Sequence, residues 1–557
     1  MRLPPLSPSG HCPARRRMRT ALAVLSVALC ACGDLQRTEL LAKLGVDSAQ
    51  LELARRYSEG DGVPADAGIA YSWKRRAVED GTPEEQYELG LALRTGQGAP
   101  LIPVEAVQLL DRAAEAGHTG AQIALGEMLA TGEGGIRRDL GVALHWYRLA
   151  AAAGNTGAQL ALARLLLDEK SGRGQPVQAL RWLTQAAEGG LAEAQFELGR
   201  RFELGEGTLP DPEQAASWYQ KAVDQGRADA QHALGRLQLA GSGIARDAAA
   251  AARLFERAAE QGNPDAMAQL GEMYLSGTGV PADPTLAAQW LERGARAHHV
   301  GAQLQLAQLY ATGLGVPLDI GEARKWLAGP ADSGDKDAQF QLALLWAEDR
   351  GAGVDGPAAL RWLKRAAKGD HSQAQYHLAT LLLVGQGEIV PKDLPTAKKW
   401  MERSGTLGNA EAQNHLGLLY STGDHGWKKD EFVAVDWFKR AAAQDHPQAC
   451  ANLGYLYAKG TGVPRNLVEA AKLYRRSAQK DHPQGQLFLA LAYIRGEGVA
   501  RNIPRGYVWL DRAAASGMPD ARRFLQDLRS RMSPGMLQEA ERLRRGDEEF
   551  AGAKTGG

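Results

Sequence analysis

Cysteine is scarce in this chain of 557 residues. Of the four cysteines, Cys12, Cys30 and Cys32 lie near the N-terminus, and Cys450 stands alone in the rest of the sequence. Four cysteines are too few for a disulfide framework in a chain of this length. The sequence also lacks C-x-x-C and H-E-x-x-H patterns, the strongest signatures of zinc sites. We therefore expect no metal site, and we predict no cofactor.

Net charge is absent as well. Lysine and arginine together number 65, aspartate and glutamate together also number 65, and the formal net charge is zero. No overall field draws the chain onto an anionic polymer or membrane surface, so we expect no nucleic-acid partner. Charged residues make up 23% and hydrophobic residues 44% of the sequence. These ordinary values exclude a disordered chain and a membrane protein with many spans.

The only long apolar run lies at the N-terminus. The basic segment Arg15–Arg19 precedes the apolar run Ala21–Ala31, which is 11 residues long. A basic segment followed by a short apolar run is typical of a secretory signal, and this run is too short to span a bilayer. We predict a signal peptide over residues 1–31, with either Met1 or Met18 as the first residue of the protein.

The segment Leu29–Gly33 resembles the bacterial lipobox, in which a leucine lies three residues before a cysteine. The resemblance implies that Cys32 is acylated and becomes the first residue of the mature chain, with residues 32–46 as a lipid-anchored linker. Several acyl chains hold a protein stably, because each buried CH₂ contributes about 0.8 kcal/mol. Gly33, rather than aspartate, directly after the cysteine resembles lipoproteins that are sorted to the outer membrane, so we expect a lipoprotein that faces the periplasm there. Cleavage near Cys32 without acylation stays open. An inner-membrane location also stays open, because Asp34 follows closely.

Tryptophan recurs at a nearly fixed spacing through the body of the chain. The spacing is 36 residues, except for two steps of 37 and one of 38, and leucine takes the place of tryptophan in three units. This column consists of Trp73, Leu109, Trp146, Trp182, Trp218, Leu254, Trp290, Trp326, Trp362, Trp400, Trp437, Leu473 and Trp509. Small residues three before and four after most of these positions share one helical face with them.

A leucine column lies upstream of the tryptophan column in every unit, and the residue after each leucine is alanine or glycine. Its members are Leu53, Leu89, Leu125, Leu162, Leu198, Leu234, Leu270, Leu306, Leu342, Leu378, Leu416, Leu453 and Leu489. Small residues beside them allow two helices to approach closely. Each unit is therefore predicted to be a helical hairpin that must stack on its neighbours.

Ten units carry G-x-G between the two helices, for example Gly132-Glu133-Gly134. A phosphate-binding loop would require a preceding strand and would not recur ten times. Glycine in the left-handed conformation at the end of a helix explains the pattern better.

The unit A-x-x-x-L-G-x-x-Y-x-x-G-x-G-V-x-x-D-x-x-x-A-x-x-W-x-x-x-A-A-x-x-G resembles the Sel-like repeat, a branch of the tetratricopeptide-like family. The resemblance covers residues 47–517. It implies an all-α, right-handed α-solenoid of about thirteen helical hairpins that binds other proteins or envelope polymers, and it implies no enzymatic reaction. From the residues themselves we predict C-terminal capping helices over 518–546 and a disordered tail over 547–557.

Departures from the repeat pattern are the candidate recognition residues. The irregular loop around Gly423 holds Trp427, outside the tryptophan column, beside Lys428 and Lys429. An aromatic residue with two cations suits a binding anchor, although Trp427 packing on a neighbouring helix stays open. We predict no catalytic residues, because no carboxylate pair or Ser, His and Asp arrangement stands out.

Pro330 lies inside a predicted second helix. Proline removes a backbone donor and clashes with the preceding turn. We therefore predict a shortened or kinked helix at Pro330, which would divide the solenoid into two segments.

Five histidines share one position, just before the first helix of their units. They are His118, His299, His371, His446 and His482. Metal binding requires nitrogen atoms at about 2 Å from the ion, whereas stacked helices lie about 8–10 Å apart. We interpret these histidines as turn residues at helix starts.

The sequence therefore predicts an envelope lipoprotein that serves as a protein–protein interaction scaffold. Its partners would be other envelope proteins, and its contact with the membrane would be the lipid anchor alone. The alginate-secretion type of outer-membrane lipoprotein has similar repeats, which favours an accessory role in exopolysaccharide secretion by analogy. A cell-wall enzyme, or a regulator of a peptidoglycan-active enzyme, is the alternative.

Overall fold

The computed structural model of the chain describes residues 33–79, 81–97, 99–168, 175–348, 355–385 and 390–546. The predicted signal peptide, the lipidation candidate Cys32 and the predicted tail over 547–557 lie outside these residues. The fold of the described residues is an all-α solenoid, as the sequence predicts. Contacts divide the chain into two compact units, Met1–Ala266 and Met267–Gly557.

The helices of the described residues are α1 (Asp34–Lys43), α2 (Asp47–Glu59), α3 (Ala67–Glu79), α4 (Pro83–Thr95), α5 (Pro103–Glu115), α6 (Thr119–Thr131), α7 (Leu140–Ala152), α8 (Thr156–Leu167), α9 (Pro176–Glu188), α10 (Ala192–Leu204), α11 (Pro212–Asp224), α12 (Ala228–Ala240), α13 (Ala248–Glu260), α14 (Pro264–Ser276), α15 (Pro284–Arg296), α16 (Val300–Thr312), α17 (Ile320–Ser333), α18 (Lys336–Ala347), α19 (Gly356–Lys368), α20 (Ser372–Val384), α21 (Leu394–Thr406), α22 (Ala410–Thr422), α23 (Glu431–Ala443), α24 (Pro447–Lys459), α25 (Leu467–Gln479), α26 (Pro483–Arg495), α27 (Ile503–Ala515), α28 (Pro519–Arg531) and α29 (Pro534–Gly546). Helices α2–α27 form the predicted hairpins, in which the even-numbered helices are the first helices and the odd-numbered helices are the second.

The leucine column forms the core of the hairpins. All its members are buried, with at most 4% of the surface of any of them exposed. The small residue that follows each leucine lies against the second helix of the same hairpin. A Cβ atom placed on Gly126 would lie 2.8 Å from the ring of Tyr147, and one on Gly417 would lie 2.6 Å from the ring of Phe438. Close approach of the two helices therefore depends on these small residues.

A glutamine column joins successive hairpins. In most units the residue three before the column leucine is a buried glutamine, and its side-chain amide donates to the last turn of the preceding second helix. Gln375 Nε2 donates to the carbonyl oxygen of Ala367 at 2.9 Å, and Gln413 Nε2 donates to that of Gly405 at 2.9 Å. Helix ends leave carbonyl groups without intrahelical partners, so each of these bonds satisfies one such group across a repeat junction.

The tryptophan column is less buried than the leucine column. Trp146 and Trp509 are buried, but the other column tryptophans are half-buried. A cation three residues further along covers several of these rings. The Lys221 ammonium lies 3.5 Å from the ring centroid of Trp218, and the Arg293 guanidinium lies 4.3 Å from that of Trp290. The indole face is thus shielded from water by a neighbouring cation rather than by burial.

The G-x-G loops end the first helices as predicted. Gly132 ends α6 with a φ of 78°, and Gly496 ends α26 with a φ of 73°. The second glycine of the motif lies against the preceding hairpin. At Gly498 a Cβ atom would collide with the carbonyl oxygen of Leu467, the first residue of α25. Glycine is therefore required there both for conformation and for space.

The histidine column caps the first helices, which agrees with its interpretation as a set of turn residues. Nδ1 of His118 accepts a hydrogen bond from the backbone N–H of Ala121 at 3.0 Å, and Nδ1 of His371 accepts one from Ala374 at 3.0 Å. His482 occupies the same position without such a side-chain bond. The capping histidines satisfy donors that the helix start leaves free.

The predicted break at Pro330 is wrong. Helix α17 continues from Ile320 to Ser333 without interruption, and the boundary between the compact units falls after Ala266 instead. Pro330 lies in the last turn, where its missing N–H removes only one intrahelical bond. Its ring is buried, and its carbonyl oxygen accepts a bond from the N–H of Asp335 at 2.9 Å.

Helices also occupy both ends of the described chain. Residues 34–43, within the predicted linker, form α1, and the carbonyl oxygen of its buried residue Ala42 accepts the amide of Gln50 at 3.0 Å. Helix α1 therefore takes the place of a preceding second helix. At the other end, α28 and α29 cover the last hairpin, and Ala540 is buried with Trp509 in one apolar cluster.

Candidate functional site

The first helices present one regularly exposed position. It lies two residues after each column leucine and is called here the face position. Successive residues on one side of a helix are three or four apart, so a step of two turns the side chain away from the buried leucine. None of the thirteen face residues is buried. They are Arg55, Leu91, Glu127, Arg164, Arg200, Arg236, Glu272, Gln308, Leu344, Thr380, Leu418, Tyr455 and Leu491.

Within the unit Met1–Ala266 the face position is mostly charged, and its charges pair between repeats. Arg94 donates to Glu127 at 2.9 Å, and Arg164 donates to Glu193 at 2.8 Å. The bond from Arg164 lowers the pKa of Glu193, so that carboxyl group stays ionised near neutral pH. Ion pairs between neighbouring repeats therefore offset part of the charge on this surface.

Within the unit Met267–Gly557 the face position is neutral from Gln308 onward. Aromatic and imidazole rings meet beside it. The ring centroids of Phe340 and His371 lie 4.5 Å apart, and those of Phe340 and His377 lie 5.5 Å apart. Burial lowers the pKa of His377, which favours the neutral ring. Neutral aromatic surface is the kind that binding interfaces bury at their centres.

A pocket opens on this neutral surface between α24, α25 and α26. It has a volume of about 510 Å³, and its aromatic lining consists of Tyr455, Tyr474 and Phe488. We call it the tyrosine pocket. Tyr474 forms its buried floor, because Gly454 leaves space for the ring: a Cβ atom on Gly454 would lie 2.7 Å from Tyr474. Burial also raises the pKa of Tyr474, so its hydroxyl stays neutral.

The walls of the tyrosine pocket are two stacked rings. The centroids of Tyr455 and Phe488 lie 5.9 Å apart with an angle of 24° between the ring planes. Tyr455 is 45% exposed, although it is a large aromatic side chain. Two leucines and three alanines complete the apolar lining: Leu467, Leu491, Ala458, Ala470 and Ala492.

Charged side chains surround the mouth of the pocket. Lys459, Arg465 and Arg495 contribute three cations, and Glu497 contributes one carboxylate. The Lys459 ammonium lies 5.7 Å from the ring centroid of Tyr455, and Arg495 lies 3.9 Å from Glu497. The rim therefore carries a local positive charge on a chain with no net charge.

The predicted binding anchor Trp427 is buried. Only 3% of its surface is exposed, and it packs with Met401 and Leu419 in the core between α21 and α22. An indole in that position cannot act as an exposed anchor, so the open alternative, packing on a neighbouring helix, describes Trp427. Lys428 and Lys429 are exposed, and Phe432 beside them is 77% exposed. The binding role of the two lysines stays a prediction.

The remaining predictions concern the lipid anchor, membrane spans and metal binding. Cys32 lies outside the described residues. No helix in the described part of the chain has the length and apolar content to cross a membrane. Among those same residues, no three His, Cys, Asp or Glu side chains are grouped so that they could hold a metal ion.

Sequence reasoning missed the tyrosine pocket, although the repeat register contains a signal for it. Tyr455 is the only aromatic residue at the thirteen face positions. The position before each column leucine is polar or alanine in twelve hairpins and phenylalanine only at Phe488. A comparison of columns for single departures would have found both residues, but their contact across two repeats is not visible in the sequence.

Comparison with known proteins agrees with the repeat architecture. The Sel1 repeat matches thirteen segments: 47–81, 86–118, 119–155, 156–191, 192–226, 228–263, 264–299, 300–328, 336–371, 372–409, 410–446, 447–482 and 483–518. No curated protein is significantly similar in sequence.

Two solved structures are similar in both sequence and fold. A protective antigen of uropathogenic Escherichia coli strains with an SLR fold is 31% identical, with a TM-score of 0.53, and the match covers 81% of this chain and 99% of that one. A Sel1 repeat protein from Oxalobacter formigenes is 33% identical, with a TM-score of 0.50, over 58% of this chain and 93% of that one. The chain therefore belongs to the Sel1 repeat family, whose members act as protein–protein interaction scaffolds.

Proposed function

We propose that this Sel1 repeat protein is a lipoprotein of the bacterial envelope, anchored through Cys32 and facing the periplasm at the outer membrane. The observation that carries the proposal is the lipobox-like segment Leu29–Gly33 directly after the apolar run Ala21–Ala31. Helix α1 begins at Asp34, so the anchor would hold the solenoid close to the membrane surface. Acyl chains alone provide the membrane attachment in this proposal.

The solenoid binds other envelope proteins in this proposal. The Sel1 repeat fold is typically a non-enzymatic scaffold. Support for a binding role comes from the neutral face positions after Gln308 and from the tyrosine pocket beside them. Stacked repeats offer an extended surface on which residues of several hairpins contact one partner together.

A more specific role is an accessory function in exopolysaccharide secretion. It rests on the similarity of these repeats to those of outer-membrane lipoproteins of the alginate-secretion type, which is an analogy of architecture. A deletion strain of the native host tests this role. We expect it to release less polysaccharide and to recover with the wild-type gene but not with a Cys32→Ala gene. Unchanged release in the deletion strain would reject the secretion role and leave the anchor untouched.

Metabolic labelling with palmitate tests the anchor. We expect label on the wild-type protein and on a Cys30→Ala variant, and none on Cys32→Ala. Cys30→Ala is a matched control, because it removes a neighbouring thiol and keeps the leucine three residues before Cys32. Equal labelling of the Cys32→Ala variant would refute acylation at that residue.

A further inference from the structure

The tyrosine pocket differs from the equivalent places in the other hairpins. Its two stacked rings belong to Tyr455, the only aromatic residue at the face positions, and to Phe488, the only phenylalanine that precedes a column leucine. Both contribute ring surface to the same cavity, although they belong to different repeats. Packing alone does not require Tyr455, since its side chain is 45% exposed.

The cavity suits an apolar side chain. Its volume of about 510 Å³ falls within the range of small-ligand sites. Two stacked rings and the floor formed by Tyr474 offer faces and edges that pair favourably with another aromatic ring. An aromatic group from a partner would complete the burial of Tyr455, and buried aromatic anchors dominate the energy of many interfaces.

The rim suits negative charge on either side of that anchor. Lys459 and Arg465 form no ion pair with any described residue, and Arg465 makes only a bond from Nε to the carbonyl oxygen of Ala458 at 3.1 Å. Arg495 has one distant carboxylate partner, Glu497, at 3.9 Å. Three cations facing one carboxylate attract an acidic ligand and steer its approach.

We propose that the tyrosine pocket binds an acidic peptide segment of a partner protein, which packs an aromatic side chain against the rings of Tyr455 and Phe488 and places carboxylates against Lys459 and Arg495. A polysaccharide is disfavoured, because sugar hydroxyls need several side-chain acceptors and Glu497 is the only carboxylate in the lining. The site deepens the protein-binding function and is independent of Cys32 and of envelope location.

Selection from a random peptide library displayed on phage, with the purified full chain as bait, tests the proposal. We expect enriched peptides that carry an aromatic residue flanked by aspartate or glutamate. A synthetic peptide of the enriched sequence should bind the Tyr455→Ala and Lys459→Glu variants at least about tenfold more weakly, the loss expected for a central anchor or a paired charge. Both residues are exposed, so these changes leave the fold intact, which circular dichroism verifies.

Matched controls separate the pocket from general surface effects. Lys439→Glu makes the same charge change at an exposed residue of α23, outside the pocket, and should leave peptide affinity unchanged. Leu91→Ala truncates a side chain at a face position that precedes this neutral surface and lies outside the pocket, and it should also have no effect.

Three outcomes would overturn the proposal: enriched peptides without an acidic and aromatic pattern, an enriched peptide that binds Tyr455→Ala as well as wild type, or no enrichment. Displacement of the peptide by polygalacturonate at similar concentrations would identify a polysaccharide site instead. The Cys32→Ala chain should bind the peptide as tightly as the wild type. The peptide-binding result therefore does not depend on whether Cys32 is acylated.

Discussion

Single residues with different chemistry cap the first helices in the same way. Nδ1 of His371 accepts the N–H of Ala374 at 3.0 Å, and Oδ1 of Asn409 accepts that of Ala412 at 2.7 Å. Only histidine titrates near neutral pH, so the cap at His371 depends on pH and the cap at Asn409 does not. Nε2 of His371 also lies 3.2 Å from the Asp337 carboxylate.

The His371→Asn variant should be less sensitive to acid than the wild type. Burial lowers the pKa of His371 despite the opposing effect of Asp337 and Asp335, and Lys336 lowers it further. The unfolded chain, with a histidine pKa of about 6.5, therefore binds this proton more readily than the folded chain. The contribution of His371 is fully present above about pH 6.5 and is lost as the pH falls below that value.

Urea unfolding at about pH 7.5 and about pH 5.5 measures this effect. We expect a smaller decrease in the free energy of unfolding for the variant, because asparagine keeps the cap and does not titrate. An equal decrease in both proteins would show that His371 does not contribute to acid sensitivity.

Two glycines allow the energetic cost of the left-handed backbone conformation to be measured separately from the cost of steric overlap. Gly62 and Gly498 occupy the same place in the G-x-G motif, with φ values of 73° and 74°. A Cβ atom on Gly62 would meet nothing within 4 Å, whereas one on Gly498 would collide with Leu467. Gly62→Ala should cost about 1–2 kcal/mol for the left-handed conformation, and Gly498→Ala about 1–3 kcal/mol more for overpacking. Urea midpoints measure both costs; equal shifts would contradict the steric argument.

At the scale of helix pairs, the residue after the column leucine determines what the second helix can place opposite it. Aromatic residues occur there in five hairpins, and all five have glycine after the leucine. These pairs are Gly126 with Tyr147, Gly199 with Tyr219, Gly235 with Phe255, Gly417 with Phe438 and Gly454 with Tyr474. Hairpins with alanine after the leucine have leucine, methionine or lysine opposite it. Gly90 and Gly271 face Leu110 and Leu291 instead. An aromatic ring on the second helix is therefore always paired with glycine, whereas leucine is found opposite either glycine or alanine.

Gly417→Ala should destabilise the chain by about 1–3 kcal/mol, because the added methyl group would lie 2.6 Å from the buried ring of Phe438. Phe438→Leu in the same chain should recover part of this loss, since alanine with leucine is the natural pairing at Ala490 and Leu510. A double-mutant cycle measured by urea unfolding gives the coupling, expected at about 1 kcal/mol or more. If the costs of the two substitutions are additive, the residues at positions 417 and 438 are not coupled, which would contradict the steric explanation.

At the scale of the whole molecule, the ends of the solenoid require cover. Each hairpin buries its apolar surface against its neighbours, so the last hairpin needs a terminal cap. Helices α28 and α29 supply it: Leu525 and Leu543 pack with Trp509, which is fully buried. Helix α28 carries charged residues such as Arg523 and Asp527 on its exposed surface, whereas Arg522 Nε donates to the carbonyl oxygen of Ala514 in α27 at 3.3 Å.

A chain that ends at Met518 should self-associate, because it exposes the apolar cluster around Trp509. Amide hydrogen exchange in α27 should also become faster as its packing is lost. Size-exclusion chromatography with light scattering measures the first effect. A chain that ends at Gly546 is the control and should behave like the wild type. A monomeric chain with unchanged exchange in α27 would show that the cap is dispensable.

The repeated hairpins and their leucine core could be predicted from the sequence because they rest on local rules repeated many times. Glycine ends a helix wherever φ must be positive, as at Gly132, and leucine is buried wherever its column recurs. The burial of Trp427 could not be predicted, because it depends on how an irregular loop folds back onto α21. The helix through Pro330 likewise depends on burial of its last turn, which is a tertiary property.

The sequence by itself determined the all-α class, the period and the identity of the buried leucine column, because the free energy of burying an apolar helix face is encoded in spacing along the chain. Only the tertiary structure decided which departures from the repeat meet one another. Tyr455 and Phe488 are 33 residues apart in the sequence, yet their rings stack at 5.9 Å. The stacking of successive hairpins brings residues of neighbouring repeats into contact. The pocket arises from this contact and could not be inferred from the residue types alone.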